Sequence, residues 1–294
     1  MVRIVSLLPS ATEIVCSLGL ADSLVGITHE CDFPEQITHL PVVTQSKIPK
    51  GLASRDIDGL VRDQLTSEAA LYSLRGEVLN KVAPDLIVSQ SLCDVCAVAS
   101  SEVEAAAADL PGSPRVLNLS PNSLEDVFQT MLLVGRAADV GAHSETTVAA
   151  LRRRVEAVRV SGETAAGSKP RVAVLEWLDP LFNSGHWTPE LVALAGGEDC
   201  LGNLHQPSET TPWEKLAAAD PDLIVVALCG FDVERSQQDV ALLKAHSTWS
   251  QLRAVRAGNV AVVDGNAYFS RPGPRLVDSL ELMAELLNRY RESS

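Results

Sequence analysis

The chain has 294 residues, 46% of them hydrophobic and 21% charged, with a formal net charge of −14. That length exceeds what one hydrophobic core normally spans, so two domains are expected, and the composition excludes wholesale disorder. The negative charge excludes a nucleic-acid partner, which needs a surplus of Lys and Arg, and no apolar run approaches the roughly 20 residues that would insert in a membrane.

Residues 2–8 form a continuous apolar run of the kind a buried parallel strand shows. The run is too short for a secretory leader and reads as the first strand of the fold. The chain as written is therefore expected in the cytoplasm, or in the periplasm or at the cell surface if a leader was removed. Ser10-Ala11-Thr12-Glu13 reads as a capping box opening a helix that closes at Gly19. Residues 24–28 form the next strand, followed by the loop His29-Glu30-Cys31-Asp32-Phe33-Pro34. A helix ends at Val82, Pro84 stops it, and 86–89 is a strand whose exit loop runs from Gln90 to Cys96. Another strand covers 116–119. Residues 123–160 are helical, broken at Gly141, with Leu124, Val127, Phe128, Met131, Leu132 and Val134 at helical spacing. The polar, turn-rich stretch 161–168 is the best boundary in the chain. A strand over 171–177, a helix capped by Thr188 with Pro189 at its start, and an amphipathic helix over 275–290 complete the second half. The expected domains are an α/β lobe over 1–122, a connecting helical segment over 123–168 and a second α/β lobe over 169–294.

The halves repeat each other. Residues 12–19 correspond to 189–196, each ending in Gly, and Ala83-Pro84-Asp85-Leu86-Ile87-Val88 corresponds to Asp220-Pro221-Asp222-Leu223-Ile224-Val225. A third pair matches 115–122 to 259–266. Two copies cannot form a solenoid, but two lobes can form a cleft. Strands alternating with helices imply parallel α/β sheets, whose ligands bind beyond the carboxyl ends of the strands.

Catalytic patterns are missing: there is no Walker loop, no GxGxxG, no GxSxG elbow and no HExxH. The chain is expected not to be an enzyme. Six cysteines are few for this length, which suits a reducing compartment. Cys93, Cys96 and Cys31, with His29 and Glu30, leave strands at one edge of the first lobe. Thiolate and imidazole suit zinc, copper(I) or iron, while a redox pair and simple packing stay open as alternatives. Cys16 and Cys229 read as core, and Cys200 is undecided. Gly185-His186-Trp187 offers an indole wall for a flat ligand, or else Trp187 packs the lobe. The stretch 268–274 reads as a rigid surface loop from which Tyr268 and Arg271 reach a ligand, unless Arg271 bonds a helix terminus. Glu77 and Glu214 occupy equivalent places, each seven residues before its Pro-Asp-Leu-Ile, where an acid near a helix N-terminus needs no further reason.

Taken together, the segment from Arg3 to Glu13, the two Pro-Asp-Leu-Ile strands, the long central helix and residues 258–264 resemble the helical-backbone metal-chelate receptors. These are the substrate-binding proteins of cobalamin, haem and siderophore importers. His29 to Pro34, the Cys93–Cys96 segment and 270–278 are similar to a cobalamin-binding-protein-like subgroup. The resemblance implies two α/β lobes joined by a long rigid helix, as in class III periplasmic binding proteins. It also implies a monomer whose interlobe cleft holds a corrinoid or similar metal chelate, with zinc or iron as further possibilities. Glu77 and Glu214 fall where that family docks onto arginines of an ABC-transporter permease. The strand-end residues expected to line the ligand site are Pro9, Ser10, His29, Glu30, Cys31, Cys93, Cys96, Gly185, His186, Trp187, Tyr268 and Arg271. The alternative is an intracellular metal- or redox-handling protein acting through Cys31, Cys93 and Cys96.

Overall fold

A computed structural model describes residues 2–49, 51–66, 71–90, 98–165 and 167–293. The chain divides into two compact units, Met1–Pro121 with Glu125–Ala149, and Asn122–Leu124 with Ala150–Ser294. The segment 123–168 is thus shared between them rather than standing apart.

The first unit is built on strands β1 (Ile4–Ser6), β2 (Leu24–Gly26), β3 (Thr44–Ser46), β4 (Tyr72–Leu74), β5 (Leu86–Gln90) and β6 (Arg115–Leu119). Its main sheet has the order β2-β1-β5-β6 and is parallel throughout, while β3 and β4 form a separate antiparallel pair. Val5, Leu7, Val43, Leu79, Val82, Ile87, Val98 and Val103 pack into its core. Helix Leu124–Ala137 buries Leu124, Val127, Phe128, Met131 and Val134 as the spacing predicts, while Leu132 is half-buried. The break that follows centres on Asp139, which takes a left-handed conformation (φ 60°), and Gly141 opens the next helix instead of interrupting one.

The second unit carries β7 (Arg171–Leu178), β8 (Leu181–Asn183), β9 (Glu198–Asp199), β10 (Leu223–Val226) and β11 (Val260–Val262). The order is β11-β10-β7-β8, with β9 also pairing β7, and β8 is the antiparallel member. Ala173, Leu175, Leu216, Ile224, Val226, Leu243 and Trp249 form the core.

The sequence repeat is a repeat of topology. The Pro-Asp strands β5 and β10 each lie beside the opening strand of their unit, β1 or β7, and each is flanked on its other side by β6 or β11. The difference is the β7–β8 hairpin, inserted before helix Thr188–Leu194, whereas β1 runs directly into helix Pro9–Ser17. Both of these helices are followed by a glycine at positive φ, Gly19 or Gly196.

Two expected caps are absent. Pro9 starts its helix with Leu8 as N-cap and no side-chain capping bond, so Ser10 lies inside the first turn and Glu13 is buried. A proline suits the first helical position because its missing N–H has no partner to lose there, and that shifts the start off the serine. Trp187 is likewise the N-cap of helix Thr188–Leu194, with no side-chain capping bond.

Helix Gly141–Thr164 carries the chain from the first unit into the second and extends into the stretch expected to be a boundary. Gly162 sets its backbone directly on Gly196: a Cβ on Gly162 would stand 2.8 Å from the Leu194 carbonyl oxygen and 2.9 Å from the Gly196 nitrogen. Arg154 of the same helix donates to Glu281 at 2.8 and 2.6 Å and to Asp278 of the C-terminal helix Leu276–Ser293. Among the described residues, no helix is long and apolar enough to cross a membrane.

Candidate functional site

In the first unit, the carboxyl ends of β1 and β2 bring together a set of hydroxyls around His29 and Cys31. The Ser6 hydroxyl donates to the Leu8 carbonyl at 2.9 Å and receives the Thr12 hydroxyl at 2.8 Å. Thr12 Oγ1 lies 3.0 Å from Cys31 Sγ. His29 is fixed through Thr44, whose Oγ1 is 2.7 Å from its Nδ1 and accepts its backbone N–H at 3.0 Å. Thr28 joins them, 2.8 Å from Thr44 between hydroxyl oxygens. The Tyr72 ring tilts against the imidazole at 5.0 Å, and its O–H donates to Glu30 Oε1 at 2.8 Å. Glu30 Oε1 in turn stands 3.9 Å from His29 Nε2, which is buried.

Of the residues expected here, Pro9 and Ser10 stand at the helix start, with Ser10 buried. Cys93 and Cys96 lie outside the described residues. Among the described residues, no group of three or more His, Cys, Asp or Glu side chains is placed to hold a metal ion. Thr28, Thr44 and Tyr72 were not singled out in the sequence; Thr44 and Tyr72 arrive through the β3–β4 pair, whose short strands carry no alternating pattern.

In the second unit, Gly185-His186-Trp187 links β8 to the next helix. Gly185 admits no side chain, because a Cβ would collide with the backbone nitrogen of Ser208 and stand 2.7 Å from the Gln206 carbonyl oxygen. His186 takes a left-handed conformation (φ 50°) and its Nδ1 is 3.2 Å from Asn122 Oδ1. Burial lowers its pKa. Trp187 follows the packing alternative: the residue is 5% exposed and its Nε1–H donates to the Phe269 carbonyl at 2.9 Å. The stretch 268–274 is not a surface loop. Phe269, Arg271, Pro272 and Gly273 are buried, following a π-helical turn over Gly265–Phe269. Arg271, 6% exposed, donates to Asn266 Oδ1 at 2.9 Å. Tyr268 is half-buried with the Arg275 guanidinium 6.0 Å from its ring centre.

Two aromatic rings stand beyond or near the ends of β7 and β10. Trp177 and Phe231, both half-buried, tilt against each other at 5.1 Å, and the Arg235 guanidinium lies 4.3 Å over the Phe231 ring.

Beneath the Gly185 loop lie two acids the sequence did not single out. Glu176 Oε1 accepts the Gly185 N–H at 3.0 Å; burial pushes its pKa up to about 7, and the neighbouring Asp199 adds to the rise. Asp199 accepts the Ser184 hydroxyl and the N–H groups of Leu201 and Gly202 at 3.1 and 2.8 Å, and burial raises its pKa as well.

The remaining cysteines divide differently from expectation. Cys229 is exposed rather than core. Cys200 donates its S–H to the Val172 carbonyl at 3.1 Å, and burial pushes its pKa up to about 12, so it is a packed thiol; Cys16 is pushed up to about 11 for the same reason. Glu77 and Glu214 are exposed in the first turns of helices Gly76–Val82 and Trp213–Ala219.

Comparison with known proteins places these observations. The sequence pattern of the family described as Periplasmic binding protein matches residues 4–267. An uncharacterised ABC transporter substrate-binding lipoprotein of Bacillus subtilis is 23% identical over 96% of this chain and 79% of its own length. A cobalamin-binding protein of Halobacterium salinarum is 22% identical over 96% of this chain and 68% of its own. In structure, the periplasmic vitamin B12 binding protein of Vibrio cholerae matches with a TM-score of 0.71 and 19% identity, covering 98% of this chain and 97% of that one.

Proposed function

Because the chain belongs to the periplasmic binding protein family, we propose that it is the substrate-binding protein of an ABC-type importer and that its ligand is a corrinoid or similar metal chelate. The observation that carries the ligand class is the Trp177–Phe231 pair with Arg235 at the strand-end edge of the second unit. A chelating macrocycle presents a flat apolar face and a rim of amides or carboxylates. Aromatic rings complement the face, and a guanidinium complements the rim. The relatives named for cobalamin and for ABC transport support this reading.

In this reading the protein is not an enzyme: it captures its ligand, delivers it to a permease and breaks no covalent bond. It works in the periplasm or at the cell surface. Glu77 and Glu214, exposed on their helices, are the groups offered to arginines of the permease, since an exposed carboxylate can meet a guanidinium fork without prior desolvation. The test is titration of the purified protein with cyanocobalamin and with haemin, followed by absorbance and calorimetry, together with elemental analysis of protein from its native host. Binding of one equivalent of either chelate at micromolar affinity or better is expected. Failure to bind either, combined with stoichiometric zinc, would transfer the function to Cys31, Cys93 and Cys96.

A further inference from the structure

The loop 184–187 is strapped from one side by backbone bonds. His186 N–H donates to the Gln206 carbonyl at 2.6 Å, His205 N–H to the His186 carbonyl at 2.9 Å, and Asn203 N–H to the Ser184 carbonyl at 2.9 Å. On the side of the sheet, Glu176 of β7 holds it through the Gly185 N–H and Asp199 of β9 through the Ser184 hydroxyl. We propose that Glu176 is a proton-responsive positioning residue for this loop, whose ionised carboxylate fixes Gly185 and whose protonation loosens that hold.

The surroundings of the carboxyl argue for a proton rather than a metal ion as the exchanging species. Its Oε1 takes a backbone N–H, and both Leu201 and Gly202 aim N–H groups at Asp199. Donors so aimed repel a cation. They favour negative charge, while burial and the adjacent Asp199 carboxylate oppose it more strongly and push the pKa up to about 7. The structure also provides for the proton once it arrives. Thr188 Oγ1 is buried beside the Glu176 carboxyl, where as a donor it favours the ionised form and can turn to accept instead. A protonated Glu176 gains an O–H that this hydroxyl oxygen can accept. The proton comes from solvent and no bond other than O–H forms or breaks.

The other groups packed around Glu176 are accounted for. The Ser208 hydroxyl faces the carboxyl as a donor. His186 turns its Nδ1 to Asn122. Glu190 of the following helix accepts the Leu124 N–H at 2.9 Å and lies 3.5 Å from His205. Arg235 and Asp239 pair with each other at 2.7 Å. Asp199 is therefore the charge that acts on Glu176.

A charge-assisted hydrogen bond is roughly twice as strong as a neutral one, so ionisation should tighten the Gly185 amide about fivefold. Hydrogen exchange of the full chain without ligand, expressed as protection factors at pH 6, 7 and 8, reads this directly. Protection at Gly185 is expected to rise about fivefold across that range, and to stay flat in Glu176→Gln, which keeps an acceptor oxygen but not the charge. A flat profile in the unaltered protein, or an equal rise in the variant, overturns the proposal. Should the variant not fold, the carbon-13 titration of the Glu176 carboxyl in the unaltered protein decides. A midpoint near neutrality shared with the Gly185 amide nitrogen supports the proposal, and a midpoint in the ordinary glutamate range overturns it. The consequence for ligand capture rests on the function proposed above. Cyanocobalamin should bind a few-fold more tightly at pH 8 than at pH 6, and equally at both in Glu176→Gln. Absence of cyanocobalamin binding at every pH counts against that function, while hydrogen exchange still decides the role of Glu176.

Discussion

Asp222 accepts the backbone N–H of Arg171 at 2.9 Å, and Arg171 returns a guanidinium bond to the Ala219 carbonyl at 3.1 Å, closing the end of the helix that precedes the strand. The same arrangement stands in the first unit. There Asp85 accepts the Arg3 N–H at 2.8 Å, and Arg3 donates to the carbonyls of Val82 and Ala83. In both, the residue after the helix is left-handed, Ala83 at φ 40° and Asp220 at φ 38°. The repeated Pro-Asp is thus a joint that stops a helix and sets the register of two parallel strands. Asp222 carries an additional load, a 2.8 Å ion pair with Arg253. Asp222→Ala is expected to cost about 2–3 kcal/mol and Asp85→Ala about 1–2 kcal/mol. Urea denaturation of both variants checks the order; equal losses would mean that the Arg253 contact contributes nothing.

Stability should depend on pH in two windows of opposite sign. Glu176 has its pKa raised from 4.5 to about 7 by burial, so folding penalises its ionised form. Its contribution is most favourable below about pH 4.5 and is lost as pH climbs through 7, by up to about 3 kcal/mol. Glu281, lowered by its Arg154 hydrogen bonds, acts oppositely: its contribution is present above the unfolded value and disappears as pH falls through the folded one. Denaturation midpoints measured from pH 4 to pH 8 should therefore fall towards alkaline pH in the unaltered protein and flatten between 5 and 8 in Glu176→Gln.

Gly185→Ala should be among the most damaging single-methyl changes in the chain. The added carbon would meet backbone atoms of Gln206, Pro207 and Ser208, none of which can rotate away. A loss of about 3 kcal/mol or displacement of the loop is expected. Gly76→Ala, whose new methyl meets nothing within 4 Å, is the control and should be neutral or slightly stabilising. Thermal melts of the pair suffice.

Trp177→Ala and Phe231→Ala should each weaken chelate binding by about tenfold or more while leaving the far-ultraviolet spectrum unchanged, since both rings are half-buried at the sheet edge. Calorimetric titration measures this. Affinity unchanged in both variants would remove these rings from the ligand site.

Glu77→Arg with Glu214→Arg should preserve ligand affinity in solution and abolish uptake by cells carrying the cognate permease, because both carboxylates are exposed on their helices. Uptake of radiolabelled cobalamin reads the second effect; normal uptake would remove the docking role.

The sheets were legible in the sequence because buried parallel strands advertise themselves. Ile4–Ser6, residues 86–89 and Leu223–Val226 are unbroken apolar or small runs, and the Asp85 and Asp222 joints mark where the last two begin. The helix over Leu124–Ala137 was equally plain from its spacing. Caps were misread because Pro9 outcompetes Ser10 for the helix start, a local preference that residue patterns rank poorly. The candidate site was only half legible. Gly185, His186 and Arg271 stood out as unusual residues between elements, yet Glu176 sits inside an apolar strand where a lone acid reads as a solvent-facing position. Its partner Asp199 is contributed by a two-residue strand that no periodicity can reveal. Thr44 reaches His29 through the bridge of Ile27 with Val42, and Tyr72 through the pairing of β3 with β4, contacts between residues apart in the chain.

The contact of Gly162 with Gly196 decides where this protein can be cut. A fragment begun at Lys169, the place the polar stretch recommends, would discard the helical turns that cover Gly196 and would leave Asp278 and Glu281 without Arg154. Such a fragment would bare the Gly196 backbone and lose both Arg154 ion pairs, and should be less stable than one that keeps the helix. An expression boundary near Ala150 keeps the covering helix with the unit it protects, and reporter insertions belong outside 150–164.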